Sequence, residues 1–256
     1  MKPSNLETVN SLIAHFEPVS LDEMDTVKLM DRTDMKFILP LDLLDRVMDE
    51  LKDNYRILTI DGNRIFSYRT EYFDTPEMVM FLDHHNGKLN RFKVRHREYL
   101  ESRLSFLEVK FKSSTGRVIK QRVEDKKTDE HLFSGFVGRH TPYNPEKLKS
   151  AVISRFNRFT LTDLSMQERV TVDFNVSFSG SHRNIALNGL VIIELKQEHI
   201  NKDSHICHVL KKYTIRPSSI SKYCIGISLL YENPKTNNFR SIIRQINKIS
   251  HVERSA

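Results

Sequence analysis

The stretch LNRFKVRHREY (89–99) places Arg91, Lys93, Arg95 and Arg97 on every second residue, with Phe92 and Val94 between them. Successive side chains of a β-strand point to opposite faces, so this spacing predicts a strand with one cationic and one apolar face. The alternation recurs along the chain. SFLEVKFKS (105–113) sets Glu108, Lys110 and Lys112 against Leu107, Val109 and Phe111, and RVIKQRVE (117–124) pairs Lys120 with Arg122. QERVTVDFNVSF (167–178) groups Arg169, Thr171, Asp173 and Asn175 against Val170, Val172, Phe174 and Val176. LVIIELKQE (190–198) groups Glu194, Lys196 and Glu198, and RTDMKFIL (32–39) adds Arg32, Asp34 and Lys36.

Two architectures accommodate this pattern. In one, an open antiparallel sheet rests its apolar face on helices and turns its charges to water, a common arrangement. In the other, the sheet closes with its charges inward. Many like charges on one flat face repel one another unless screened, and the charged faces here carry usually one carboxylate each among several cations. Cations buried without partners cost several kcal/mol each, so an inward set requires a wet lumen filled by a polyanion. Taken over all strands together, the second arrangement fits better. Strands joined by short turns with helices at the ends therefore predict an α+β fold: a closed eight-stranded antiparallel β-barrel with a polar, basic interior and helices packed outside.

Composition narrows the partner. The net charge of +7 favours an anionic ligand. Eight glycines form neither GxxxxGK[ST] nor GxGxxG, so phosphate would be gripped by side chains, not by a glycine-rich backbone cradle. Cys207 and Cys224 make no CxxC pair and no disulfide framework, which suits a reducing compartment. MKPSNLETVNSLIAHF is too polar for a signal peptide, and no apolar run is long enough to span a bilayer, so a cytoplasmic location is expected.

Helical patterns lie at 5–16, at 21–30 behind a Ser20 cap with Glu23 three residues on, after Pro40, through HICHVLKKY and through SISKYCIGISLLYE. Without repeat or linker, residues 1–235 are read as one domain and 236–256 as an amphipathic tail, expected as a packed surface helix. Asp83, His84 and His85 fall in a segment read as a connection, with a turn or rim role preferred over metal ligation. Asp74 in YFDT is read as a turn-capping aspartate, and Asp173 as a partner for a neighbouring cation or a metal assistant. A nucleic-acid reader would add aromatic stacking on the basic face, whereas Phe92, Phe111 and Phe174 alternate off it. No nucleic acid is expected as a partner.

The motifs RTDMKF, YFDT, LNRFKVRHREY, FLEVKFK, RVIKQR, FNRFT, RVTVDFN, VIIELK and SISKYCIG, in this order from about Ser20 to Leu230, resemble the polyphosphate polymerase domain of the vacuolar transporter chaperone (VTC) complex. That domain belongs to the triphosphate tunnel metalloenzymes. The resemblance implies a tunnel barrel whose basic lumen holds a triphosphate with Mn²⁺ or Mg²⁺, and a transfer of the terminal phosphoryl group of a nucleoside triphosphate such as ATP to a growing polyphosphate chain. It implies Lys36 and Lys222 as catalytic lysines at the transferred phosphate and the tunnel end. Arg32, Lys93, Arg95, Arg97, Lys110, Lys120, Arg122, Arg158, Arg169 and Lys196 become phosphate-binding cations, and Glu194 the metal ligand with Glu108 as a candidate helper. The superfamily's first strand often reads ExExK; here Arg32 and Asp34 precede Lys36, which weakens a triphosphatase type of metal ligation. A tunnel triphosphatase and a non-catalytic polyphosphate-binding module remain the alternatives, and the oligomeric state is left open.

Overall fold

The structure, a computed structural model, describes residues 4–25, 33–125, 129–180, 183–232 and 234–255. Its strands are β1 (Glu17–Val19), β2 (Thr33–Pro40), β3 (Tyr55–Leu58), β4 (Phe66–Asp74), β5 (Arg91–Tyr99), β6 (Leu104–Lys112), β7 (Val118–Glu124), β8 (Lys149–Asp163), β9 (Glu168–Gly180), β10 (Arg183–Asn188), β11 (Leu190–Gln197) and β12 (His251–Ser255). The α-helices are α1 (Asn5–Ile13), α2 (Leu21–Asp25), α3 (Leu41–Leu51), α4 (Val79–His85), α5 (Glu130–His140), α6 (His205–Lys212), α7 (Lys222–Leu230) and α8 (Arg240–Ile249). The expected cap is present: Ser20 Oγ accepts from Glu23 N at 3.2 Å and Glu23 Oε2 accepts from Ser20 N at 2.9 Å.

A large antiparallel sheet forms the body. Hydrogen bonds run in the order β2–β11–β9–β8–β4–β5–β6–β7, with β10 and then β12 branching from the far end of β9. Eight strands thus follow one another as expected, but the circuit is not completed. Among the described residues β2 and β7 are edges with no ladder between them, so the barrel is not closed by hydrogen bonds. The sheet is nevertheless strongly curled. Lys110 on β6 and Glu194 on β11 stand five strands apart, about 24 Å on a flat sheet at ~4.8 Å per strand, yet the Glu194 carboxylate acts electrostatically on the Lys110 ammonium.

The outer face is apolar where the alternation predicts it. Val170, Val172 and Phe174 of β9 and Val191, Ile193 and Leu195 of β11 are buried with Leu44, Val47 and Met48 of α3 and Ile206, Val209 and Leu210 of α6. Each such side chain contributes about 1.5–3 kcal/mol by leaving water. On the other wall, Val94, Leu107 and Val109 pack with Val137 of α5.

The concave side is divided in two. At one end it is apolar: Ile38, Tyr72, Val152, Phe178 and Ile192 pack with Tyr223, Cys224 and Ile227 of α7. Gly226 allows this fit, since a Cβ there would lie 2.7 Å from Val152 and 2.8 Å from Phe178. Helix α7 therefore floors the hollow, and Ser221 and Lys222 at its N-terminus border the charged part above. Residues 236–255 join the same structure: Ile246 of α8 is fully buried, and β12 extends the sheet beside β10. No helix is long and apolar enough to cross a membrane among the described residues.

Candidate functional site

The charged part of the hollow is built as rungs across the strands. On one wall Arg122, Glu108, Arg95 and Tyr72 stand opposite one another on β7, β6, β5 and β4. On the other, Lys36, Glu194, Thr171 and Thr160 form the rung through β2, β11, β9 and β8.

The first wall is locked. Glu108 is wholly buried, and its Oε2 accepts from Arg95 at 2.6 Å while Lys120 pairs with its Oε1. Burial pushes the Glu108 carboxyl up, but Arg95, Arg97 and Lys120 outweigh it and hold the group far below the ordinary carboxylate range. Arg97 donates to Thr70 Oγ1 at 3.2 Å and lies 5.8 Å from the Tyr68 ring centre. Lys110 is surrounded by like charge: Arg95 first, then burial and Arg97, hold its ammonium well below the usual lysine range. Arg122 sits over Phe106 at 4.9 Å.

The second wall is looser. Glu194 has Lys196 at 3.3 Å, and its side chain keeps 19% exposure. Burial opposes ionisation of Glu194, yet Lys196, Lys36, Arg158 and Lys110 together keep it well below the usual range. Arg158 grips Asp173 with two bonds, Nε to Oδ1 at 2.5 Å and Nη2 to Oδ2 at 2.8 Å. Lys222 also pairs with Asp173 and stands 4.2 Å from the Phe156 ring centre; burial lowers its pKa to about 8. Asp173 is held at about 2, burial being outweighed by Arg158 and Lys222. Lys36 donates to the Ile220 carbonyl at 3.3 Å. Arg169 donates to the Met24 carbonyl at 2.8 Å, which ties α2 to the rim.

At the mouth, Tyr68, Tyr99, Phe106, Arg122, Arg158 and Lys196 line a recess of about 550 Å³. A larger recess of about 710 Å³ lies elsewhere, between β3 and α6, and contains none of the expected site residues.

The expected site residues thus converge from β2, β5, β6, β7, β8, β9, β11 and α7 on one hollow. Arg32 lies outside the described residues. Glu108 and Glu194 occupy separate clusters, and no group of three potential metal ligands is found among the described residues.

The VTC domain family matches this sequence over residues 31–231. The chain belongs to the VTC domain family. No curated protein matches it. Among solved structures, a Hippeastrum protein described as a candidate adenylyl cyclase with a dominant triphosphatase activity superposes with a TM-score of 0.52 at 13% identity, covering 80% of this chain and 98% of its own. A candidate adenylate cyclase from Vibrio parahaemolyticus gives 0.47 at 10% identity, over 76% of this chain and 97% of that one. One from Bacillus halodurans gives 0.44 at 15%, over 82% and 100%. The fold is that of the triphosphate-tunnel proteins.

Several groups of this VTC domain escape the charge pattern. On β4 Arg69 and Glu71 face out, where Arg69 bonds Glu98 at 2.7 Å, while Tyr68, Thr70 and Tyr72 face the hollow. Their period-2 spacing was legible, but charge marked the wrong side. Asn175 leaves the basic face: at φ +52° beside a register shift, it bonds Asn157 and Asn5 instead of joining Asp173. Asp83, His84 and His85 lie on a helix, α4, not a turn or strand, and His84 reaches Lys93 Nζ at 3.3 Å. The cap of α4 comes from six residues upstream, since Asp74 accepts from the amides of Met80 and Phe81 at 2.9 and 3.0 Å.

Proposed function

We propose that this VTC domain is a polyphosphate polymerase, which moves the terminal phosphoryl group of a nucleoside triphosphate such as ATP onto a polyphosphate chain. One observation carries the reading: Lys36, Lys93, Arg95, Arg97, Lys110, Arg158, Lys196 and Lys222, each buried or half-buried, outnumber Glu108, Asp173 and Glu194 around the hollow of the curled sheet, and the family is one of triphosphate tunnels. Phosphoryl transfer asks for charge neutralisation and in-line placement more than for a covalent catalyst. An array of preset cations supplies both without reorganising during reaction.

Roles follow from position. Arg95, Arg97 and Arg158 offer planar forks to phosphate oxygens, and Lys93, Lys110, Lys120, Arg122, Arg169 and Lys196 add charge along the walls. Lys36 and Lys222, beside the floor, steer the oxygen of the acceptor's terminal phosphate toward the γ-phosphorus. As that P–O bond forms, the bond to the β-phosphate oxygen breaks and the nucleoside diphosphate leaves.

A divalent ion suits Glu194 better than Glu108. Glu194 is a half-buried carboxylate bordering the hollow, whereas both Glu108 oxygens are engaged by Arg95 and Lys120. A hard cation takes one protein carboxylate when phosphate oxygens complete its shell. Mn²⁺ or Mg²⁺ held there would neutralise charge on the transferred phosphate.

Purified protein incubated with ATP and Mn²⁺ should yield long phosphate chains on a gel. Orthophosphate as the sole product would instead make it a triphosphatase, the activity described for the Hippeastrum protein. Binding without any product would make it a polyphosphate-binding module.

A further inference from the structure

His84 has no place in the reading above, yet it occupies the floor end of the hollow. Its Nε2 is 3.3 Å from Lys93 Nζ, and that ammonium donates to Ser221 Oγ at 3.1 Å. Its Nδ1 is buried with no hydrogen-bond partner among the described residues. A lysine ammonium has only donors, so Nε2 accepts, the ring is neutral, and the ring proton sits on the unpartnered Nδ1. Buried polar atoms are nearly always satisfied, and this orphan donor points to an acceptor that arrives from outside the chain.

The charged groups pressing on the ring come from three strands: Lys93 and Arg91 of β5, Lys36 of β2 and Lys112 of β6. On its own helix, Asp83 turns to Lys88 at 3.1 Å and His85 bonds Asn86 and Asn238. On α7, Tyr223 is committed to Asp74. Burial first, then these cations, press the His84 imidazole down to about 2 in the free protein. Phosphate oxygens laid along Lys36, Lys93 and Arg91 would cancel the repulsion that keeps the ring neutral.

We infer that His84 couples anion occupancy to proton uptake: its Nε2 accepts from Lys93 in the free protein, and when the phosphate chain reaches the floor Lys93 turns to the phosphate, the freed Nε2 takes up one proton and Nδ1–H donates to the chain. The inference rests on the reading that the hollow binds phosphate chains. It makes His84 a phosphate-binding residue that tightens binding in mild acid, outside the range near pH 8 where Lys93 and Lys222 titrate.

The test is calorimetric titration of tripolyphosphate, without metal, into wild type and His84→Gln in two buffers of different ionisation enthalpy near about pH 6. Titration of the ligand itself cancels in the comparison. Wild type should take up more protons per ligand bound than the variant. Its affinity should fall up to about tenfold per pH unit more steeply toward neutrality, the limit for one coupled proton. Equal proton counts with intact binding would overturn the role of His84 and leave the phosphate reading standing. Absence of binding in wild type would remove both. Should the variant not fold, ¹⁵N spectra of the eleven histidine rings in wild type decide the matter. One ring should pass from neutral to charged on adding tripolyphosphate, and no change would overturn the inference.

Discussion

The two walls of the hollow each carry one glutamate among cations, and they use it differently. Glu108 is fully enclosed, with Arg95 and Lys120 on its oxygens, and it fixes the positions of both. Glu194 stays partly exposed beside Lys196, within the fields of Lys36, Arg158 and Lys110. The same residue type is a fastener on one wall and, on the proposed reading, the metal ligand on the other. The cause lies in strand geometry. Glu108 is flanked on both sides by cationic strands, with Arg95 and Arg122 in register, whereas Glu194 stands between Lys36 and the hydroxyl of Thr171.

The largest expected effect tests the fastener. Glu108→Gln leaves Arg95 buried without its countercharge, and breaking such a pair costs about 3–5 kcal/mol, readable by denaturant unfolding. The pH dependence follows from the depressed pKa of Glu108. Its contribution is fully present above the unfolded carboxyl value of 4.5 and is lost as pH falls toward its much lower folded value. Wild type should therefore lose stability below about pH 4.5 more steeply than the variant.

Next comes the available ligand. Glu194→Gln should destabilise less than Glu108→Gln, since Glu194 is partly exposed, yet lower metal-dependent turnover about 100-fold or more, comparable to losing one strong transition-state contact. It should also tighten metal-free tripolyphosphate binding by removing a negative charge. A large stability loss instead would make the two walls equivalent. A smaller effect comes from the lysines near the floor. Lys93 and Lys222 are charged below about 8 and neutral above it, so tripolyphosphate affinity should fall a few-fold as pH rises through that value. The smallest effect belongs outside the hollow. Arg69→Ala removes the outward pair with Glu98, each side chain about one-fifth exposed, and should cost less than about 1 kcal/mol while binding is unchanged.

The inward cations of β5, β6 and β11 were readable because period 2 gathers them on one face of each strand, and so many like charges over all strands favour a wet interior over an open sheet. Tyr68, Tyr72 and Phe156 were not, since aromatic residues on a strand look like core until the neighbouring strands show what faces them. The step out of phase at Asn175 depends on an αL residue that Asn adopts readily but does not announce. Helix α4 was hidden because its N-terminal bonds are supplied by Asp74 and its preceding residue, Met78, is itself left-handed at φ +57°. Closure of the sheet was inferred from its inward charges and a sufficient number of strands, yet curvature and hydrogen-bond closure are separate properties, and only the first is present among the described residues.

The contact of Gly226 with Val152 and Phe178 has a consequence one turn away. Any larger residue would raise the helix, and with it the hydroxyl of Ser221 and the ammonium of Lys222. The depth of the hollow between rim and base is thus governed by the missing methyl of a residue beneath it.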